Sequence, residues 1–323
     1  MKISIILPTY NRPSSLDITL QSISNQKISK EKFEVIVVDN NKYKDETHSI
    51  VLKKKINLNN LRYIHHPKPG LHEARHRGLK EAKYEWLVFL DDDVELLPNY
   101  LTGVQEAINN KDVVLIGGKN TPNYENTPPK WLNDLWEKEK WIGPLSILDL
   151  GDKQKYTSPL NVFGCNFVIK KSVLLQAGGF HPDSMPKEML RYRGDGETYV
   201  SEYIKANGLK TYYHPDVSVK HWVPKERMTF EYWYQRAYRQ GVSISYSQIR
   251  EKGVSSIQKS HKISITDRIK KGIRDNYMMN VVSDQKKIKY LQQKGIQDGF
   301  RFHQDEVYND KSLQEWVLKD SYL

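Results

Sequence analysis

Three consecutive carboxylates, Asp91, Asp92 and Asp93, directly follow the short apolar run 86–90. Adjacent carboxylates repel one another by about 1 kcal/mol for each close pair even in water, so a nearby cation would stabilise them. Mg²⁺ or Mn²⁺ fits, because each prefers oxygen ligands and is commonly held by one or two carboxylates plus substrate phosphates. The alternative is a solvated acidic turn ahead of a helix near Pro98. The position at the end of a predicted strand favours the metal site.

A second pair of carboxylates, Asp195 and Glu197, lies in a glycine-rich loop at the start of a predicted helix at 197–206. Glycines let the backbone approach a ligand closely, and an acid in such a loop can take the proton from an incoming hydroxyl. Helix capping by Asp195, with Glu197 favouring the helix dipole, is the competing explanation. Capping alone would not require a glycine on each side of Asp195. The loop therefore predicts a catalytic base and leaves open which carboxylate it is.

Two further groups have the chemistry to hold a nucleotide. Asp39 and Asn40 follow the apolar run 33–38, where a carboxylate can accept hydrogen bonds from a nucleobase or a ribose, although the pair is also an ordinary turn sequence. Gly70 precedes a predicted helix that carries Arg75 in an early turn. A guanidinium group pairs with phosphate oxygens, and free N–H groups at a helix start add to the attraction. A solvated surface arginine is the alternative.

These residues need a scaffold that brings them together. Short apolar runs, several of them separated by amphipathic stretches, occur at 3–7, 33–38, 61–65, 86–90 and 113–117. This alternation predicts an α/β fold with a mostly parallel central sheet and helices on both faces. Ligands bind such sheets beyond the carboxyl ends of the strands, where the loop 9–12, Asp39 and Asp91 stand. Three strand ends thus predict one cleft.

The later part of the chain is less regular. A loop-rich segment at about 120–160 contains Trp131, and such a stretch often covers or lines a site. His221 ends a predicted strand pair near 210–221 and is either a further metal ligand or an ordinary polar residue at a strand end. We predict one domain at 1–245 and a basic, mostly helical extension at 246–323.

Charge and composition limit the classes of protein. The 323 residues include 50 Lys and Arg against 39 Asp and Glu, a net charge of +11, and the segment 250–294 alone carries +8 from twelve basic and four acidic residues. The single cysteine, Cys165, excludes an internal disulfide and a thiolate zinc site and favours a reducing compartment. No apolar run approaches the ~18–20 residues that cross a bilayer. We expect a cytoplasmic location, with peripheral docking on the inner face of the membrane through the basic segment.

Taken together, the motifs resemble the family 2 glycosyltransferases, which have the GT-A fold. Six ordered segments carry the resemblance, at 5–12, 35–40, 70–78, 89–93, 163–170 with 178–180, and 213–222. Six motifs in order are far more specific than any one of them. Two positions depart from the family: His76 stands where asparagine is more usual, and Asp195-Gly196-Glu197 stands where Glu and Asp are usually adjacent.

The resemblance implies transfer of a sugar from a nucleotide diphosphate sugar, UDP-linked, to an acceptor hydroxyl with inversion, in bacterial cell-surface polysaccharide or glycolipid synthesis. It implies a divalent cation, Mn²⁺ or Mg²⁺, at Asp91, Asp93 and His221. Counting back from Gly208 favours Glu197 as the catalytic base, whereas counting from the start of the loop favours Asp195; we expect Glu197. Residues 1–118 would bind the donor and 119–245 the acceptor. Donor-binding residues are expected at Pro8, Thr9, Tyr10, Asn11, Arg12, Asp39, Asn40, Gly70, Arg75, Asp91 and Asp92. Gly164, Asn166 and Trp131 are expected in the sugar and acceptor region.

The same residues are compared with the patterns of two other functions. A protein whose α/β domain binds a nucleotide without turnover would dock on an anionic membrane through 250–294, although a solvated helical face explains these charges equally well. A nucleotidyltransferase shares the sheet and the metal carboxylates, but the loop 8–13 lacks the glycine-rich, basic pattern of such enzymes. No nucleic-acid motif is present. We expect partners among nucleotide sugars, saccharide or lipid-linked acceptors and membrane surfaces, and the sequence predicts no oligomeric state.

Overall fold

The computed structural model describes residues 1–44, 46–110, 112–259 and 265–323. The strands in chain order are β1 (Ile3–Thr9), β2 (Phe33–Asp39), β3 (Leu61–His65), β4 (Trp86–Leu90), β5 (Val94–Leu96), β6 (Val113–Gly117), β7 (Asn120–Tyr124), β8 (Trp141–Ile142), β9 (Ile147–Leu148), β10 (Lys155–Thr157), β11 (Asn166–Lys170), β12 (Lys210–Tyr213) and β13 (Val219–Val223). The α-helices are α1 (Pro13–Ser24), α2 (Glu46–Lys54), α3 (Leu71–Glu81), α4 (Tyr100–Ile108), α5 (Lys130–Glu139), α6 (Lys171–Gln176), α7 (Glu197–Ala206), α8 (Phe230–Lys252), α9 (Ile265–Asn280), α10 (Asp284–Asn309) and α11 (Lys311–Val317).

Eight strands form a central sheet in the order β10-β12-β6-β11-β4-β1-β2-β3. The four strands β4, β1, β2 and β3 are parallel, β12 is parallel to β6, and β11 runs antiparallel between β4 and β6. β1 and β2 are buried along their whole length, as expected when both faces of a sheet are covered. Ile5 and Leu7 belong to one hydrophobic core and Ile6 to a second. The predicted α/β fold with a mostly parallel central sheet is confirmed.

A smaller sheet has five strands in the order β5-β13-β7-β9-β8. β12 pairs with β6 and β10 in the large sheet, whereas β13 pairs with β5 and β7 in the small one. Both strands predicted near 210–221 are present, but they do not pair with each other, because residues 214–218 carry the chain from one sheet to the other. This crossing places His221 opposite Val94, directly after the acidic cluster.

The C-terminal helices pack on α8 through glycine contacts. A Cβ atom at Gly299 of α10 would lie 1.9 Å from the carbonyl oxygen of Tyr238, and one at Gly241 of α8 would lie 2.1 Å from that of Ile296. Only glycine permits so close an approach of two helices. The domain boundary predicted at 245 falls inside α8, because the helix continues to Lys252 to support this packing. Among helices in the described ranges, none is both long and apolar enough to cross a bilayer.

The last residues return to α3. His76 Nδ1 lies 3.0 Å from the carbonyl oxygen of Tyr322, and His76 Nε2 accepts the N–H of Phe180 at 2.8 Å. Because a carbonyl only accepts, Nδ1 carries the proton and the buried ring is neutral. Burial lowers the pKa of His76 to about 3, and the nearby His72 lowers it further. This histidine joins the C-terminal segment to the core of the α/β part.

The Gly299→Ala protein should be less stable, because the added methyl group forces α10 away from Tyr238. We expect the free energy of unfolding to fall by about 1–3 kcal/mol in urea denaturation. Gly272→Ala is the matched control, since Gly272 lies on α9 with no atom within 4 Å of the added Cβ, and it should be neutral or stabilising by up to about 1 kcal/mol. Equal stability of the two variants would contradict the close helix contact.

Replacing His76 by Asn should change how stability depends on pH. Between the ordinary pKa of 6.5 and about 3, the unfolded chain binds a proton at His76 that the folded protein does not, so the unfolding free energy falls as the pH falls. In the variant, the slope of the unfolding free energy against pH should be smaller by up to about 1.4 kcal/mol per pH unit. Urea titrations between about pH 4 and pH 6 measure this slope. An unchanged slope would show that His76 is protonated in the folded protein.

Candidate active site

The loop after β1 is tied to the acidic cluster after β4. Thr9 Oγ1 donates a hydrogen bond to Asp92 Oδ2 at 2.7 Å. Arg12 Nη1 lies 3.0 Å from Asp92 Oδ1 and 2.9 Å from Asp93 Oδ2. Burial raises the pKa of Asp92 to about 7, although Arg12 opposes the shift. Asp92 is buried and both of its oxygens are hydrogen-bonded within the protein, so it positions the loop.

The end of β2 carries a fully buried carboxylate. Asp39 Oδ2 accepts the hydroxyl of Tyr63 at 2.6 Å, and Oδ1 accepts the N–H of Asn41 at 2.8 Å. Asn11 has a left-handed backbone conformation, with φ of +53°, and its N–H donates to Asn41 Oδ1. The loops after β1 and β2 therefore form one continuous edge of the site. Tyr63 also belongs to this edge and was not predicted from the sequence.

Three other predicted donor residues lie around this edge in different ways. Tyr10 is 58% exposed, so its ring is accessible to a ligand. Asn40 Nδ2 donates to the carbonyl oxygens of His66 and Lys68, and this side chain fixes the neighbouring loop. Pro8 is buried inside β1. Its contact with the donor stays a prediction.

Asp93 and His221 are brought together by the pairing of β13 with β5. Asp93 Oδ1 is buried and accepts no hydrogen bond from any residue that the structure describes, and His221 Nε2 lies 3.4 Å from it. His221 Nδ1 lies 2.8 Å from the carbonyl oxygen of Leu145, so Nε2 is the nitrogen that can bind a metal. Neighbouring ligands at about 2.1 Å from one octahedral ion lie roughly 3 Å apart. These two residues therefore fit a divalent ion.

Two arginines contact the other oxygen of Asp93. Arg12 and Arg227 lie 2.9 and 3.3 Å from Asp93 Oδ2. Burial alone would raise the pKa of Asp93, but His221, Arg12 and Arg227 together hold it well below the ordinary carboxylate range. Arg227 was missed by sequence reasoning, and the available signal was a basic residue six positions after the candidate ligand His221. Two long, positively charged side chains thus lie beside Asp93.

The third predicted metal ligand, Asp91, is turned toward a different partner. Its Oδ1 lies 3.3 Å from Arg75 Nη2, and its side chain is 29% exposed. Across the described ranges, no three His, Cys, Asp or Glu side chains are grouped so that they could hold an ion by themselves. An ion between Asp93 and His221 would need further ligands from substrate or water.

The buried side chain of Arg75 connects the acidic cluster to the glycine-rich loop. Gly70 directly precedes α3 and has φ of +106°. The helix that follows carries Arg75 beside the ends of the strands. Arg75 Nη2 donates to the carbonyl oxygen of Gly164 at 3.0 Å, and Nη1 lies 3.5 Å from Glu197 Oε2. Burial lowers the pKa of Arg75, but Asp91 and Glu197 more than offset this and raise it, so the group stays charged. A Cβ atom at Gly164 would lie 2.6 Å from Arg75 Nη2, so the contact requires glycine there.

The two candidate bases, Asp195 and Glu197, differ in their hydrogen bonds and in their exposure. Asp195 Oδ1 lies 2.7 Å from His181 Nδ1, and Oδ2 accepts the hydroxyl of Ser247 at 2.7 Å. Glu197 Oε1 accepts only the N–H of Gly164, at 3.2 Å, and its side chain is about twice as exposed as that of Asp195, 26% against 12%. Both oxygens of Asp195 therefore have partners within the protein, whereas Glu197 is held by Gly164 and is accessible to a ligand.

Both carboxylates line an open cleft of about 970 Å³. One wall is formed by the segment that contains His181 and Arg193, and the other by the face of α8 that carries Arg236. A volume of this size accommodates a sugar and part of its aglycone. Glu197 lines the cleft and also contacts Arg75, so a group bound in the cleft has access to the carboxylate.

Two residues predicted in the sugar and acceptor region make contacts within the protein, and their role toward a ligand stays a prediction. Asn166 is buried, accepts the hydroxyl of Tyr100 at 2.7 Å and donates to Asn120 Oδ1 at 3.0 Å. Trp131 stacks on Phe230 at 5.2 Å and so joins α5 to α8. Of the three predicted residues, Gly164 alone contacts the site described above.

The sequence matches known proteins over part of its length. The family described as "Glycosyl transferase family 2" matches residues 4–177, more than half of the chain. The chain is 37% identical over 139 residues to the chondroitin synthase of Pasteurella multocida, covering 41% of this chain and 14% of that protein. It is 34% identical over 110 residues to the GalNAc(5)-diNAcBac-PP-undecaprenol beta-1,3-glucosyltransferase of Campylobacter jejuni, covering 33% and 35%. The matched segments thus span well under half of these relatives.

Solved structures resemble almost the whole chain. The mannosyltransferase PcManGT from Pyrobaculum calidifontis, in complex with GDP-Man and Mn²⁺, has a TM-score of 0.53 and 17% identity, covering 99% of this chain and 84% of that one. S. aureus TarS 1–349, in complex with UDP-GlcNAc, has a TM-score of 0.53 and 18% identity, covering 96% and 92%. At these identities the likeness concerns the fold, which is the GT-A fold expected from the sequence motifs. Together with the match over residues 4–177, it establishes that the chain belongs to glycosyl transferase family 2.

Proposed function

We propose that the protein is an inverting, metal-dependent glycosyltransferase that moves a sugar from a UDP-linked donor to an acceptor hydroxyl. The proposal rests on two contacts of Arg75, one with Asp91 at the end of β4 and one with Glu197 at the cleft. One buried cation thereby joins the expected diphosphate position to the candidate base. The acceptor that we propose is a saccharide or a lipid-linked saccharide of the cell surface, as the names of the matched relatives suggest.

Donor binding is assigned to the edge formed by the loops after β1 and β2. Tyr10 offers an exposed ring to a nucleobase, and Asp39 with Tyr63 lies at the bottom of the same edge. Arg12 and Arg227 have the length and charge to move from Asp93 to a diphosphate. Asp93 and His221 would hold the divalent ion, which supplies charge neutralisation for the departing diphosphate. TarS was solved with UDP-GlcNAc and PcManGT with GDP-Man, so these two donors head the panel to be tested.

Glu197 is assigned the role of base. In a single displacement, the acceptor oxygen bonds to the anomeric carbon while the bond from that carbon to the diphosphate oxygen breaks. The acceptor proton goes to the Glu197 carboxylate, and the electron pair of the broken bond stays on the diphosphate. The N–H of Gly164 orients Glu197 Oε1, and Arg75 holds Oε2 at 3.5 Å. Asp195 keeps His181 and Ser247 in place behind it.

Glu197→Gln removes the proton acceptor and leaves the contact with Gly164 possible. We expect the rate of UDP release from a UDP-sugar with Mn²⁺ to fall by roughly 10²–10⁴-fold, with UDP affinity by calorimetry unchanged. Asp195→Asn should cost less, and Glu231→Gln, an exposed position of α8, should behave as wild type. A larger loss in Asp195→Asn would reverse the assignment. Nucleotide binding without turnover of any donor would favour the non-catalytic alternative.

Removal of the proposed metal ligands should weaken Mn²⁺ binding. Asp93→Asn and His221→Gln should each lower Mn²⁺ affinity in the presence of UDP by at least about tenfold, measured by electron paramagnetic resonance. Chelation by EDTA should abolish UDP release in the wild type, and added Mn²⁺ should restore it. Asp134→Asn, a surface residue paired with Lys130, is the control. Unchanged Mn²⁺ affinity in both ligand variants would overturn the metal assignment.

A further inference from the structure

An apolar stripe is exposed along α9 and the residue that follows it. Ile269, Ile273, Tyr277 and Val281 are 58%, 67%, 55% and 65% exposed. Residues four apart lie on the same side of a helix, so these side chains form one continuous strip. Such a strip is unusual on a helix that is already packed in a protein, where the apolar side normally faces the core.

The opposite side of α9 is the one that contacts the protein. Asp275 pairs with Lys294 and accepts the hydroxyl of Tyr290, both on α10. Arg274 lies 5.3 Å from the centre of the Tyr290 ring. The helix is thus attached through polar and cation–π contacts, and its apolar strip is turned outward by the same contacts.

Exposed cations surround the strip. Lys270 lies beside it on α9, and Lys286 and Lys289 are exposed at the start of α10. Within the described ranges none of these three makes an ion pair with a carboxylate. They belong to the segment 250–294 that carries +8 of the net charge of +11. An apolar strip with unpaired cations at its border is the pattern of a helix that lies in a bilayer interface.

We propose that α9 docks on an anionic phospholipid membrane, with Ile269, Ile273 and Tyr277 inserted at the headgroup boundary and the flanking cations on lipid phosphates. A second copy of the chain would bring the same cations together across the contact, which is unfavourable. A nucleic acid would pair with the cations but leave the apolar strip in water. The inference goes beyond the proposed activity, and it would hold the cleft near a lipid-linked acceptor.

The test uses the full chain and large unilamellar vesicles. Wild-type protein should sediment with vesicles of equal parts phosphatidylglycerol and phosphatidylcholine, bind less at high salt, and not bind phosphatidylcholine alone. Ile273→Glu combined with Tyr277→Glu should reduce the partition coefficient by roughly tenfold or more, because the inserted apolar area is lost. Ile56→Glu is the matched control, since Ile56 is 85% exposed but lies after α2, and it should bind as wild type.

The outcomes separate docking from catalysis. UDP release in solution should be equal in the double variant and the wild type, so a failure of docking is distinct from a failure of the enzyme. The proposal is overturned if neither salt condition gives binding to anionic vesicles, or if the double variant binds as well as the wild type. A dimer in light scattering that the double variant dissociates would instead assign the strip to a second copy. Salt-sensitive binding to a DNA duplex without vesicle binding would assign the cations to nucleic acid.

Discussion

The charge of Arg75 is the constraint on which the site depends. A guanidinium group taken out of water is destabilising unless carboxylates and carbonyls surround it. Here Asp91 comes from the end of β4, Glu197 from the start of α7 and the carbonyl from Gly164 before β11. Three segments far apart in the chain must therefore meet at one point for the group to be buried. The same requirement that stabilises the fold also places Asp91 and Glu197 on either side of one guanidinium group.

Most of the fold was predictable because local patterns carry it. The strands at 3–7, 33–38 and 86–90 are apolar runs that are buried along their whole length, and the helix predicted at 197–206 has these bounds in the structure. The pairing of β12 and β13 was not predictable in the same way. Local propensity identifies a strand, but its neighbour is chosen by contacts that are distant in the chain, here with β6 and β5. The predicted boundary at 245 lies within α8, because this helix continues to Lys252 and packs on α10.

For the site, the sequence motifs predicted some of the residues that the fold brings together. Asp93 and His221 meet as the motifs implied, and Arg75 reaches Asp91. Asn166 and Trp131 were predicted from their residue types, but the sequence did not predict that they contact Tyr100 and Phe230, because such contacts depend on the direction of each side chain. Arg227, Tyr63 and His181 escaped notice because each matters only through a partner elsewhere in the chain.

The antiparallel strand β11 lies between β4 and β6, and five residue pairs join it to β4. Asp91 directly follows β4, and Gly164 lies two residues before β11, so the two sides of the site are built on adjacent strands of opposite direction. The two sides of the site cannot then be exchanged between relatives as independent modules. A chimera joined between them must reproduce this register to the residue, because a slip of one position would reverse the faces on which Phe89 and Phe167 pack.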